Sequence, residues 1–294
     1  MSTTEKNFFL RKIKLIISVF MLMTFAILFL VSSSGAYEKT KEGKTYLPII
    51  MYHSLLKDSE LHNDYVISPQ VFETDLKYFK EYGYTTVTVN DLVDYVYNDK
   101  ELPAKSVMLT FDDGYYNNYE YAYPLLKEYE SKAVISPIAK MSEAFTDTGE
   151  VSVTYGHIDV DRMKEMIESG YVEIQNHSYD MHNLSPRKGI EQKSGESDEV
   201  YKKILTEDIQ KSQNFLKDKV GVNPVCYVYP FGAESSNSLD IIKESGFLCT
   251  LTCVEKPNFI TRNPESLYEL GRYRRDGSES IESLMAKISR DAGR

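Results

Sequence analysis

From residue 37 onward, short apolar runs alternate with longer stretches whose apolar residues recur at helical spacing. Pro48–Tyr52, Val107–Phe111, Ala133–Ile138, Val172–Gln175, Val225–Tyr229, Phe247–Cys253 and Leu270–Arg272 read as buried strands. Between them, Ser68 is an N-cap with Pro69 at the first helical position, and that helix runs to about Glu81 before Gly83. A second helix passes through Pro124 to about Tyr129. Asp159 caps a third over Val160–Ser169, which Gly170 ends. Further helices are expected from about Val200 to Lys219, over Asn237–Ser245 and from near Ser280. The polar stretch Ser185–Ser197 reads as an excursion loop. Strands alternating with helices predict a single α/β domain over 37–294, built on a parallel sheet or barrel.

The first 36 residues follow another rule. Lys6, Arg11, Lys12 and Lys14 precede Leu15–Val31, 17 residues in which only Ser18 and Thr24 are polar. The run exceeds the roughly 7–15 residues of a cleaved signal core and reaches the lower limit of a membrane span. Ser34-Gly35-Ala36 has the small-x-small form of a cleavage site. Residues 1–36 are therefore expected to be a basic cytoplasmic stub with a transmembrane anchor or signal helix. Basic residues before the run keep that side inside, so the remainder is expected outside the cytoplasm, anchored or secreted.

Charge narrows the classes further. Lys and Arg number 34 against 44 Asp and Glu, a net −10, which is no footprint for nucleic acid. Three cysteines, Cys226, Cys249 and Cys253, fit no zinc-ribbon spacing and allow one disulfide at most.

In a parallel α/β fold, reactive groups collect at the C-terminal ends of the strands. His53, Asp112, Asp113, His177 and Pro230 each lie directly after a predicted strand or one residue beyond. Asp112 and Asp113 point to opposite sides of the chain, so one can bind a metal while the other serves as a base; alone, Asp-Asp-Gly is equally an ordinary turn. His177 and His182 are five apart, which is not the spacing of one helix face and suits a loop on which both imidazoles converge. Two imidazoles and a carboxylate leave open positions for water and substrate, as catalytic metal sites do.

These segments carry a resemblance. Thr110-Phe111-Asp112-Asp113-Gly114, His177-Ser178 through His182, and Tyr229-Pro230-Phe231-Gly232 are similar, in order and separation, to the three motifs of the polysaccharide deacetylases with a NodB-homology domain, carbohydrate esterase family 4. The likeness runs from about Tyr46 to the C-terminus and is nearest the poly-N-acetylglucosamine deacetylase branch. It implies a distorted (β/α) barrel that hydrolyses N-acetyl groups on a cell-surface amino sugar polysaccharide. O-deacetylation of another glycan, or a silent carbohydrate-binding relative, are the alternatives. It also implies a divalent metal, zinc or cobalt among others, held by Asp113, His177 and His182, with Asp112 as general base. Tyr229, Pro230, Phe231 and Gly232 would form the substrate side, where a backbone N–H beside the proline holds the oxyanion. The sequence departs from the family twice. Val228 stands where an arginine usually orients the base, leaving Arg272 as a substitute partner for Asp112 or a contact for substrate. No histidine follows His182, so the usual late acid is missing and His53 is the replacement by position.

Overall fold

Seven short strands, all parallel, close into a ring in the computed structural model, which describes residues 43–294. They are β1 Ile49–Tyr52, β2 Ser106–Asp113, β3 Ala133–Pro137, β4 Val172–Ile174, β5 Cys226–Val228, β6 Cys249–Leu251 and β7 Tyr273–Arg274. Ladders join β7 to β1, β1 to β2, β2 to β3, and β3 to β4, with Ile50 opposite Leu109 and Thr110 opposite Val134. A single bridge, Asn176 to Tyr227, carries β4 to β5. β5 pairs with β6, and the bridge from Leu251 to Leu270 leads into the chain entering β7. The ring therefore closes, but through single bridges on one side, which is the distortion.

Alternation along the strands builds two cores. In β2 all eight residues are buried, and successive side chains point to opposite faces. Val107, Leu109 and Phe111 join the layer between strands and helices, with Phe72, Leu76, Met163 and Leu284. Met108 faces the barrel interior with Ile49, Val134, Cys226, Val228, Cys249 and Leu251. Thr110 and Asp112 share the parity of Met108, so the interior turns polar toward its upper end. Cys226, Cys249 and Cys253 are free thiols.

The helices take the expected places with adjusted ends. Pro69–Glu81 has Ser68 as N-cap, its hydroxyl accepting from Val71 N at 3.1 Å, and Val160–Glu168 has Asp159 in the same role. The helix expected from Val200 begins at Asp198, capped by Ser197, and gives way after Phe215 to a wider turn over Leu216–Val220. Two helices were not anticipated. Val89–Tyr97 is rich in β-branched residues but is nucleated by a capping box, Thr88 N donating to Asp91 Oδ2 at 2.9 Å. Ala139–Thr148 follows Pro137 with no side-chain cap at Ile138 and so lacks a start signal. The final strand lies at Tyr273–Arg274 rather than Leu270–Arg272, because Gly271 N donates to Asn258 Oδ1 at 2.8 Å and Arg272 N to the Val254 carbonyl at 3.0 Å, outside the ladder. Leu15–Val31 lies outside the described residues. No helix among the described residues is long and apolar enough to cross a membrane.

Candidate active site

The site forms where β2 ends. Asp113 closes the strand with φ of +68°, a left-handed conformation that L-residues rarely hold, and Gly114 follows at +69°. A Cβ at Gly114 would lie 2.6 Å from Pro137 Cβ, so only glycine lets β2 turn this tightly against β3. The kink sends the neighbouring carboxylates in different directions.

Asp112 continues into the barrel. Arg272 Nη1 donates to its Oδ1 at 2.6 Å and Nη2 to its Oδ2 at 2.7 Å. Arg272 Nε donates to the Thr252 carbonyl at 2.8 Å, and Nη1 also reaches Thr110 Oγ1 at 3.3 Å. Burial pushes the Asp112 carboxyl up, but the Arg272 charge, followed by His177 and the paired hydrogen bonds, outweighs it. The net result is a pKa below the usual 3.8.

Asp113 turns toward the histidine loop. His182 Nε2 lies 3.1 Å and His177 Nε2 3.5 Å from Asp113 Oδ1, and one donor atom from each of the three residues fits within 4.8 Å of the others. His177 follows β4, and its Nδ1 is 2.8 Å from the Val228 carbonyl. A carbonyl only accepts, so Nδ1 carries a proton, and in the neutral ring Nε2 is left to present its lone pair to the centre. Asp113 Oδ1 is buried without a hydrogen-bond partner among the described residues. Lone pairs converging on an orphaned carboxylate oxygen are what a divalent transition metal requires, so the residues fit one. Burial pushes the Asp113 carboxyl up, but the facing His177 and His182 outweigh it and hold it well below the usual 3.8.

The loop from His177 to His182 is braced from below. Ser178 has φ of +70°, and its N–H donates to Asn176 Oδ1 at 2.9 Å. Asp208, on helix Asp198–Phe215, accepts the N–H groups of Tyr179 and Asp180, each at 2.8 Å. Ser178 Oγ accepts from Met181 N at 3.2 Å, which braces the loop from within.

A cavity of about 790 Å³ opens over these groups, lined by His53, Tyr65, Asp112, Asp113, His177 and Phe231 among others. His53 Nε2 is 3.9 Å from Asp112 Oδ2, and its ring meets Tyr65 edge-on at 4.9 Å. Burial lowers the His53 pKa from 6.5, and the pull of Asp112 only partly opposes it, so the ring is neutral at pH 7. Asn118 Nδ2 donates to the His53 carbonyl at 2.7 Å, and Asn117 Nδ2 to Ser54 Oγ at 2.9 Å. The residues just past the first motif thereby fix the His53 segment.

The third motif splits. Phe231, at φ of +58°, is 36% exposed and its ring lies 4.1 Å from that of His182, on the cavity wall. Tyr229, expected beside substrate, is instead fully buried against Tyr227, and Pro230 is buried beneath the turn. Gly232 abuts Cys253, where a Cβ would meet Cys253 Cβ at 2.8 Å. Arg272 is likewise 0% exposed and meets Asp112 rather than the cavity. Tyr229 shares the parity of Tyr227 and packs outward against the helices with Tyr201 and Phe247, whereas Arg272 points into the barrel interior, so neither lines the cavity. Tyr65, Asn117, Asn118, Asn176 and Asp208 were not singled out in the sequence. The Tyr-Tyr-Asn-Asn-Tyr run after Gly114 was the one available signal, being polar where a helix was expected.

The sequence profile described as polysaccharide deacetylase matches residues 99–249. The chain is 29% identical over 242 residues to YxkH of Bacillus subtilis strain 168, whose name places it among the polysaccharide deacetylases, covering 82% of this chain and 75% of that one. It is 28% identical over 233 residues to the poly-beta-1,6-N-acetyl-D-glucosamine N-deacetylase of Staphylococcus aureus strain MRSA252, covering 74% of each. The structure of IcaB from Ammonifex degensii superposes with a TM-score of 0.66 at 25% identity, over 83% of this chain and 96% of that one.

Proposed function

The chain belongs to the polysaccharide deacetylase family, and from that premise we propose that it removes N-acetyl groups from a poly-N-acetylglucosamine-like polysaccharide outside the cytoplasmic membrane. The observation that carries the reading is the pairing of two carboxylates of different duty. Asp113 faces His177 and His182, and Asp112, one residue away, is held ionised by Arg272 at the same cavity. The amino sugar substrate rests on the name of the Staphylococcus aureus relative, and the location on Leu15–Val31.

Asp113, His177 and His182 would hold a divalent cation, which when bound polarises the acetyl carbonyl and eases deprotonation of an attacking water. Asp112 is the base for that water: its charge is fixed by Arg272, and the bidentate grip fixes its orientation. The water oxygen bonds to the acetyl carbon, and the carbonyl becomes an oxyanion. The Phe231 N–H, at the left-handed turn of the third motif, is the backbone donor assigned to it.

Collapse of that adduct breaks the carbon–nitrogen bond, and the departing nitrogen must gain a proton because an amide anion is far too basic to leave. His53 is neutral at pH 7, so it is not a resting acid. Its Nε2 lies 3.9 Å from Asp112 Oδ2, a gap that one bridging water or a small ring movement closes, so that it can relay the proton from Asp112 to the amine. Acetate and a free amine are the products. The test is acetate release from acetylated glycans by the protein lacking residues 1–36, with and without chelator. Loss on chelation and recovery with zinc or cobalt is expected, and undiminished release from metal-free protein would sink the mechanism.

A further inference from the structure

One buried histidine has no part in the chemistry above. His157 lies outside all three motifs and is 6% exposed. Its segment is laced to the chain that follows the first motif: Tyr116 N donates to Gly156 O at 2.7 Å and Ile158 N to Gly114 O at 2.8 Å. Between these, His157 Nδ1 sits 2.9 Å from the carbonyl oxygen of Asp113. A carbonyl only accepts, so His157 is the donor and its tautomer is set. The ring is held by Tyr115 at 5.1 Å and Phe145 at 5.7 Å between centroids.

The bond falls on one of the three non-glycine residues of the site that are held left-handed, the others being Ser178 and Phe231. Asp113 holds φ of +68° without being glycine, and such a conformation persists only where its surroundings over-determine it. Its carbonyl receives two donors, His157 Nδ1 and Ile138 N at 3.2 Å. Ile138 N belongs to the backbone and survives any substitution there except proline. His157 is the part that a mutation can remove. Relaxing Asp113 toward negative φ would swing its carboxylate away from His177 and His182, since the side chain turns with the backbone.

We propose that His157 is a positioning residue for the metal centre, holding Asp113 in its left-handed conformation through the Nδ1–H bond so that Oδ1 faces both histidines. The inference rests on the metal-binding reading of Asp113, His177 and His182. Two variants separate the hydrogen bond from simple packing. His157→Phe keeps a ring between Tyr115 and Phe145 and loses the donor. His157→Asn loses the ring and keeps an N–H near the position of Nδ1.

The experiment measures zinc affinity by competition with a chromogenic chelator, on parent and variants whose fold is verified by circular dichroism. His157→Phe should bind zinc about tenfold or more weakly, within the range that loss of a supporting hydrogen bond typically gives. His157→Asn should stay within about threefold of the parent. A tight-binding Phe variant with a weakened Asn variant would overturn the inference and make His157 a packing residue. Equal affinity in all three proteins would overturn it as well. A parent that takes up no zinc would overturn the metal centre itself, and this inference with it.

Discussion

Arg272 grips both oxygens of Asp112 from a position 160 residues further along the chain, at 2.6 and 2.7 Å, and neither side chain is more than 2% exposed. A buried guanidinium is costly unless its partner and its other hydrogens are satisfied, and here Thr252, Thr110 and Cys253 Sγ take the remaining three. The folded pKa of Asp112 is below its unfolded value near 3.8, so the pair's contribution to stability is fully present above that value and is lost as pH falls through the lower folded one.

Arg272→Lys should keep a positive charge but lose the two-pronged grip. We expect kcat/KM to fall about tenfold or more, and the acidic limb of the pH–rate profile to move to higher pH, because a weaker counter-charge lets Asp112 take its proton sooner. Removing the charge altogether leaves a buried carboxylate unpaired and should cost about 3–5 kcal/mol of stability. An acidic limb that stays put in Arg272→Lys would mean that Asp112 is not the group being titrated.

The two aspartates should fail differently. Asp112→Asn should retain metal and lose turnover by about a hundredfold or more, as removal of a general base does. Asp113→Asn should lose metal. Elemental analysis of both purified variants decides between this assignment and its reverse.

His53→Ala should lower kcat by about a hundredfold with metal content unchanged if the ring relays the proton of Asp112. An enzyme within a few-fold of the parent, with the same pH profile, would leave Asp112 to deliver the proton alone.

Asp208 tests the brace beneath the histidines. Its carboxylate accepts two N–H groups, Tyr179 and Asp180, and an amide in its place can accept only through its oxygen. Asp208→Asn should cost about 1–3 kcal/mol and weaken metal binding by loosening the loop that carries His182. Unchanged thermal midpoint and unchanged metal affinity would contradict that role.

What could be read in the chain and what could not divides along physical lines. The end of β2 was legible because Val107–Phe111, apolar but for Thr110, stops abruptly at Asp112, whereas β4 showed only as Val172 and Ile174 alternating with Glu173 and Gln175. The convergence of Asp113, His177 and His182 followed from the motifs they sit in. The barrel was implied by the same resemblance, and its single-bridge closure at Asn176 and Leu251 had no signature in the sequence. Tyr229 and Pro230 were misplaced because a motif says which residues recur and not which way a strand points them. His157 and Asp208 stayed hidden for another reason. Each acts through a backbone group of a distant residue, Asp113 in one case and Tyr179 in the other, and backbone partners leave no mark on composition or spacing.

The most direct test of the central claim is acetate release from an N-acetylglucosamine oligomer by the protein lacking residues 1–36, measured in chelated form and again after titration with one equivalent of zinc. The account predicts no release above background from the chelated protein, recovery that saturates near one metal per chain, and no recovery in Asp113→Asn at the same zinc concentration. Acetate release at the parental rate from metal-free protein, or full recovery in Asp113→Asn, would contradict it.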